Sequence, residues 1–288
     1  MHKARRITAL LLVLAMVVAV VAIAGCGGTK TATGPKLVKE GVLTVGSDTS
    51  FPPFESMNGA TAEGFDVDLA NAVAKELGLT SVNFTSQKFD TLIPQLKAGG
   101  TFDVIMSGMT IKPKRLEEID FSLPYIDSDQ SITVVKGKFP VMDGNDPAAL
   151  NTAFTGKTIG VQSGTTGQEW ATENLKGAAK IIPFDDTLAA FSALSAGTVD
   201  AVVNDLPVSR WVVSKSQPGD EIIAEIPTQE RYGIGIAKAN PELKTAIDAA
   251  LEKIRASGEY DKIYVKWFGV APNASSDTSG SSAATTTP

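Results

Sequence analysis

The spacing of apolar residues changes period several times along the chain, and each change marks an element. Residues 42–46 (VLTVG) are a short apolar run expected to form a strand. From Phe65 the period becomes 3.6: Leu69, Ala70, Val73, Ala74 and Leu77 share one face, Asp68, Asn71, Lys75 and Glu76 the other, and Gly78 stops the helix. A strand at 82–85, a helix at 92–97 closed by Gly99-Gly100 and a strand at 102–106 follow. Strand, helix, strand, helix, strand at this spacing predicts an α/β fold with a largely parallel sheet. Residues 120–126 read as extended, 131–135 as a strand, and 137–147 as a loop rich in glycine, proline and aspartate. A second unit opens with a strand at 157–161, a turn at 162–167 and a helix through Trp170 to Leu175. A strand at 222–226, alternating glycine and apolar residues at 232–237, and a helix at 241–256 with Leu243, Ile247, Leu251 and Ile254 on its buried face follow, and aromatics at 260–268 pack that helix. Read locally, this last part belongs to the second unit.

An internal echo links the two units. Asp90-Thr91-Leu92 and then Leu96-Lys97-Ala98-Gly99 are answered by Asp186-Thr187-Leu188 and then Leu194-Ser195-Ala196-Gly197. A polar crossing follows each copy, Ser107-Gly108-Met109-Thr110 in the first and Asn204-Asp205-Leu206-Pro207 in the second. Two similar α/β lobes with polar groups at their strand ends imply a cleft between them, because open α/β sheets bind ligands at the carboxyl ends of their strands.

The densest chemistry lies at 104–115, VIMSGMTIKPKR. An apolar strand end meets a small polar segment, and Lys112-Pro113 opens a short helix that carries Arg115, since proline at a first helical position loses nothing by lacking its N–H. Carbonyl, hydroxyl, amide and guanidinium groups within a few residues suit a ligand carrying both an ammonium and a carboxylate. The same residues also read as a plain strand, turn and helix with a surface arginine. Phe51, beside Pro52-Pro53, sits on a stiff loop where it is either a pocket wall or core filling, and Asp48 in the same turn either faces a ligand or bonds its own backbone. The turn at 163–167 is an anion-binding turn or a simple helix cap.

The ends and the composition narrow the function. Lys3, Arg5 and Arg6 precede sixteen apolar residues at 9–24, and Ala24-Gly25-Cys26 closes the run. The run is short for a membrane span and reads as a signal peptide over 1–25, with a retained anchor as the rival. Cys26 at that place resembles the lipobox cysteine of bacterial lipoproteins, so the rest is expected to be exported and lipid-anchored at the outer face of the cell membrane or in the periplasm. Residues 26–40 read as a flexible tether and 271–288 as a disordered Ser/Thr/Ala-rich tail. Without 1–25 the chain carries 23 basic and 32 acidic side chains, a formal charge of −9, which argues against nucleic acid as a partner. Removal also takes His2, the only histidine, and leaves one cysteine. No disulfide, no zinc site with nitrogen or sulfur ligands, and no Ser-His or Cys-His pair can be built, and no cofactor is expected.

Several segments together resemble the bacterial solute-binding proteins of amino-acid ABC importers, extracellular family 3, typified by the glutamine, histidine and lysine/arginine/ornithine binding proteins. They are Phe51-Pro52-Pro53-Phe54-Glu55, Gly64-Phe65-Asp66-Val67-Asp68-Leu69, Phe89-Asp90 with Leu92-Ile93-Pro94, Gly108-Met109-Thr110-Ile111 with Arg115, Asp120-Phe121-Ser122, Gly164-Thr165-Thr166 and Asp261-Lys262-Ile263-Tyr264, in order over about 40–270. The resemblance implies a type II periplasmic-binding-protein fold, two α/β lobes joined by a two-stranded hinge. Lobe one would hold 41–134 and 235–270 and lobe two 136–232, with crossings near 134–136 and 232–235. That placement contradicts the local reading of the C-terminal helix.

By the same resemblance, Arg115 grips the ligand carboxylate with the backbone N–H groups of Thr110 and Thr166. The Gly108 carbonyl, the Thr110 hydroxyl and the Asp205 carboxylate hold the ammonium. Phe51 and Phe89 cover the ligand, Asp48 and Gln162 look toward its side chain, and Ser107 and Thr165 complete the set. The expected partners are a free L-amino acid and the permease subunits of an ABC importer with their cytoplasmic ATPase, the binding protein itself a monomer. Polar neutral or basic ligands fit Asp48, glutamine slightly ahead; an acidic ligand would need another cation, for which Lys88 is the nearby candidate. The alternatives are a cyclohexadienyl or arogenate dehydratase-like enzyme on the same scaffold, whose general acid could only be a carboxyl such as Asp48 or Asp205, and a ligand-sensing module for a separate receptor.

Overall fold

The computed structural model describes residues 35–272. The expected signal peptide, the expected lipidation site Cys26 and most of the expected tether and tail lie outside the described residues. Among those described, no helix is long and apolar enough to cross a membrane.

The chain begins with β1 (Val42–Ser47), a small meander β2 (Ser50–Phe51), β3 (Glu55–Asn58) and β4 (Thr61–Glu63), then helix α1 (Phe65–Glu76) and β5 (Ser81–Ser86). A 3-10 turn (Phe89–Thr91) leads into α2 (Leu92–Ala98), β6 (Val104–Ile105), α3 (Pro113–Leu116) and β7 (Asp120–Phe121). The long strand β8 (Ile126–Val135) precedes α4 (Pro147–Ala153), β9 (Thr158–Gln162), α5 (Thr166–Asn174), β10 (Lys180–Phe184) and α6 (Thr187–Ser195). The chain closes with β11 (Ala201–Asp205), α7 (Leu206–Lys215), β12 (Asp220–Tyr232), β13 (Gly235–Ile236), α8 (Pro241–Ala256) and α9 (Glu259–Phe268).

Two five-stranded sheets organise these elements, in the orders β5-β1-β6-β13-β7 and β10-β9-β11-β8-β12. In each sheet three strands run parallel, β5-β1-β6 and β10-β9-β11, and the remaining two join antiparallel. The sheets are therefore mixed where periodicity predicted a largely parallel one, because each receives a strand returning from the other lobe. These are the two α/β lobes of the type II periplasmic-binding-protein fold.

The lobe boundary differs from the expected one. Strand β8 pairs with β11 and β12 in the second sheet from Ile126 onward, so the first crossing precedes Ile126 and does not wait for 134–136. Only 131–135 is apolar enough to read as a strand; Asp127, Ser128, Asp129 and Gln130 hide the first half. The second crossing does follow Tyr232, which pairs with Ile126, so both connections run side by side. Strand β13 enters the first sheet between β6 and β7. Helices α8 and α9 accordingly pack on α1 and not on the second sheet, where the local reading put them. Leu243, Ile247, Leu251 and Ile254 are buried there, each worth ~1.5–3 kcal/mol against exposure.

Candidate functional site

The first lobe delivers its groups at the carboxyl ends of β1, β5 and β6. Phe51 follows the β1 turn and is buried, stacked on Phe54 at 6.0 Å between ring centroids. Gly108 follows β6 with φ +51°, and an added Cβ would lie 2.7 Å from the Phe51 ring, so only glycine lets the strand end approach that wall. Arg115 stands on α3, whose Pro113 occupies the first turn as expected. Its side chain is buried, and its guanidinium carbon lies 5.3 Å from the Phe89 ring centre, a cation–π placement. Nη1 donates to the Thr110 carbonyl at 2.9 Å and Nη2 to the Gly164 carbonyl of the other lobe at 3.2 Å. Guanidinium has five N–H donors, so donors remain for a carboxylate.

The second lobe answers from the ends of β9 and β11. Thr165 caps α5, its hydroxyl accepting from the Gln168 amide at 3.1 Å. Gln162 ends β9, with Oε1 accepting from the Thr187 hydroxyl at 2.7 Å. Asp205 ends β11 at the start of α7 but makes no capping bond. Its Oδ1 accepts from Gln130 Nε2 at 2.5 Å, and its Oδ2 from the Tyr232 hydroxyl.

Nine of the eleven expected ligand-binding residues line one small cavity of about 10 Å³: Phe51, Phe89, Gly108, Thr110 and Arg115 from the first lobe, and Gln162, Thr165, Thr166 and Asp205 from the second. That is the space of about one water, so the lobes must part to admit anything larger. Asp48 and Ser107 stand directly behind the wall, a correction to their expected place. Asp48 Oδ2 accepts from Gln162 Nε2 at 2.5 Å and Oδ1 from the Ser50 hydroxyl at 2.5 Å, so Gln162 covers it. Ser107 Oγ accepts from the Asp48 amide at 2.9 Å and donates to Glu55 at 3.0 Å.

Glu230 was not marked by the sequence. It lies on β12 just after a register shift against β8, next to Gln229 at φ +54°, and that local irregularity brings it against two threonines that line the cavity. Its carboxylate accepts from the Thr110 hydroxyl at 2.7 Å and the Thr166 hydroxyl at 2.6 Å, one from each lobe. The Thr110 hydroxyl, expected to serve the ammonium, is thus held by Glu230. Nothing in TQERYG signals a bulge, so the residue could be found only in three dimensions.

Burial pushes the Asp205 carboxyl up to about 7, with the Glu230 charge adding to the rise and the hydrogen bonds from Tyr232 and Gln130 and the Arg115 charge opposing it. Burial pulls the Arg115 guanidinium down to about 10, still cationic at neutral pH, against the raising influence of Asp205 and Glu230. The cavity thus holds a cation on one lobe and a titratable anion on the other.

The lobes are closed on each other. Lys88 pairs with Asp185 at 2.7 Å and Ser163 Oγ bonds Asp90 at 3.2 Å. Lys112 meets Glu169 across the same line. Lys88 is thereby committed at the rim and does not line the cavity as an acceptor of an acidic ligand would. Among the described residues no group of histidine, cysteine, aspartate and glutamate could hold a metal ion.

Residues 43–270 match the bacterial extracellular solute-binding proteins, family 3. A probable histidine-binding protein of Neisseria gonorrhoeae is 37% identical over 88% of this chain and 93% of its own. Two solved structures of an ancestral arginine-binding protein are similar throughout. The one bound to arginine is 40% identical with a TM-score of 0.73, covering 80% of this chain and 99% of that one. The one bound to glutamine is 39% identical with a TM-score of 0.72, covering 81% and 100%.

Proposed function

The chain belongs to family 3 of the bacterial extracellular solute-binding proteins, exported amino-acid-binding components of ABC transport rather than enzymes, and from that premise we propose that it binds one free polar amino acid, glutamine first. The observation that carries this reading is Arg115 on one lobe and Asp205 on the other lining the same small cavity. A zwitterion placed there meets an opposite charge at each end, which offsets the cost of burying it. Arg115 takes the carboxylate in a forked pair, the backbone of Thr110 and Thr166 assists, and Asp205 with the Gly108 carbonyl takes the ammonium. Phe51 and Phe89 enclose the ligand.

The side chain then points at Gln162, a carboxamide, and this favours glutamine. Asp48 behind it favours a second reading, arginine, whose guanidinium would replace Gln162 Nε2 on the Asp48 carboxylate. The ancestral protein solved with both ligands supports keeping the two together. Lys88, spent on Asp185, speaks against an acidic ligand.

Because the ligand bridges the lobes, it favours the closed state over the open one. A permease with its ATPase would accept the closed protein, a monomer, and a lipid on Cys26 would keep it near that permease. Calorimetric titration with each common amino acid tests the reading. Glutamine or arginine should bind tightly and release heat, and Arg115→Ala and Asp205→Ala should abolish the signal. Tight binding of glutamate or aspartate alone, or unchanged binding by both variants, would overturn it.

A further inference from the structure

Two carboxyl groups sit behind the cavity wall, Glu55 on β3 and Asp66 on α1, and neither has any exposed surface. Each uses one oxygen to hold the strand end that reaches the ligand. Glu55 Oε1 accepts from Ser107 Oγ at 3.0 Å, and Asp66 Oδ2 accepts from the Gly108 amide at 3.1 Å and the Tyr125 hydroxyl at 2.8 Å. The other two oxygens, Glu55 Oε2 and Asp66 Oδ1, are buried without a hydrogen-bond partner. Two fully buried carboxyls that hold the adjacent residues 107 and 108 cannot both carry a charge there without a strong like-charge cost.

The groups facing the pair supply no cation. They are the Ser107 hydroxyl, the Gly108 amide, the Tyr125 phenol and the Asp48 carboxylate, with Tyr232 beyond Tyr125. Burial and the neighbouring Asp66 charge raise Glu55 well above the ordinary carboxylate range, and burial lifts Asp66 to about 6. Full burial with no facing cation disfavours a second charge on the pair, which titrates as a unit.

We propose that Glu55 and Asp66 are positioning residues for the ligand, a single-proton carboxyl pair that fixes Ser107 and Gly108 so that the Gly108 carbonyl faces the ammonium. The inference rests on the functional reading above for what Gly108 binds. Loss of the shared proton at alkaline pH sets two anions side by side behind Gly108, they separate, and the strand end moves with them. Affinity then falls, although neither residue touches the ligand.

The test compares the parent with Glu55→Gln and Glu55→Ala. Infrared difference spectra of the ligand-free protein at pH 7 should show one protonated-carboxyl carbonyl band in the parent that Glu55→Gln lacks. The glutamine side chain keeps a donor toward Asp66, so this variant should bind within about threefold of the parent at pH 7, while Glu55→Ala loses about tenfold or more. Above the second ionisation the parent should weaken by about tenfold relative to Glu55→Gln, a ratio that cancels titration of the ligand itself. Identical infrared spectra or superimposable affinity profiles for parent and Glu55→Gln would overturn the proposal, and these two readouts decide it even if Glu55→Ala does not fold. A parent that binds no amino acid would sink the functional reading, while the infrared band would still decide the carboxyl pair.

Discussion

Arg115 and Asp205 are asked to do different things by their surroundings. Arg115 is rigid: its stem is buried, its plane lies by Phe89, and carbonyls from both lobes hold Nη1 and Nη2. Lysine cannot reproduce that fork, so Arg115→Lys should weaken ligand binding by about 10–100-fold in calorimetry while leaving the fold intact. Asp205 is tunable. On the proposed reading the ligand's ammonium takes its carboxylate, and burial holds the free group at about 7. Below that pH, binding must first remove a proton, so affinity should fall toward tenfold per pH unit, and proton release on binding, read in buffers of different ionisation heat, should disappear in Asp205→Asn. Most of these side chains were visible in the sequence because glycine, hydroxyl and arginine cluster within a few positions of a strand end. Asp48 was visible too, but its cover by Gln162 was not, since it joins residues 114 positions apart. Glu230 escaped for the same reason, being placed by a bulge rather than by a motif.

At the scale of elements, the long periodic segments were read correctly: α1, α8 and the short β1 and β5 carry their period in the sequence. Elements whose polar residues, buried or exposed, interrupt the period were not, and the first half of β8 is the main case. The fate of α8 and α9 was beyond local reading, because their apolar faces suit either lobe and only the pairing of β13 with β6 decides. One element contact deserves a mutation. Gly164, in the turn before α5, has φ +76°, and a Cβ there would lie 2.9 Å from that of Asp90 on the opposite lobe. Gly164→Ala should therefore hinder closure without removing any group proposed to touch ligand. Small-angle scattering should show a larger radius of gyration with saturating ligand than the parent, and affinity should fall; a compaction equal to the parent's would contradict this.

For the whole molecule, the raised carboxyls act together. Asp205, Asp66, Glu55 and Asp48 all bind protons more tightly folded than unfolded, each chiefly because burial disfavours its charge. Their folded values exceed the unfolded ones of about 4, so between about pH 4 and 7 the native state holds more protons, and stability falls as pH rises. Ligand-free protein should melt several degrees higher near pH 4 to 5 than at pH 8, with added ligand flattening the slope; scanning calorimetry across pH reads both. Two ion pairs at the rim add a kinetic consequence. Lys88–Asp185 and Lys112–Glu169 join only when the lobes meet, and the first is more than half exposed on both partners. Raising salt from about 0.01 M to 1 M screens them, so ligand should escape about two- to fivefold faster in stopped-flow dissociation. Capture of a net-neutral amino acid should hardly change, and cells in brackish surroundings would hold their cargo for a shorter time at the same rate of collection.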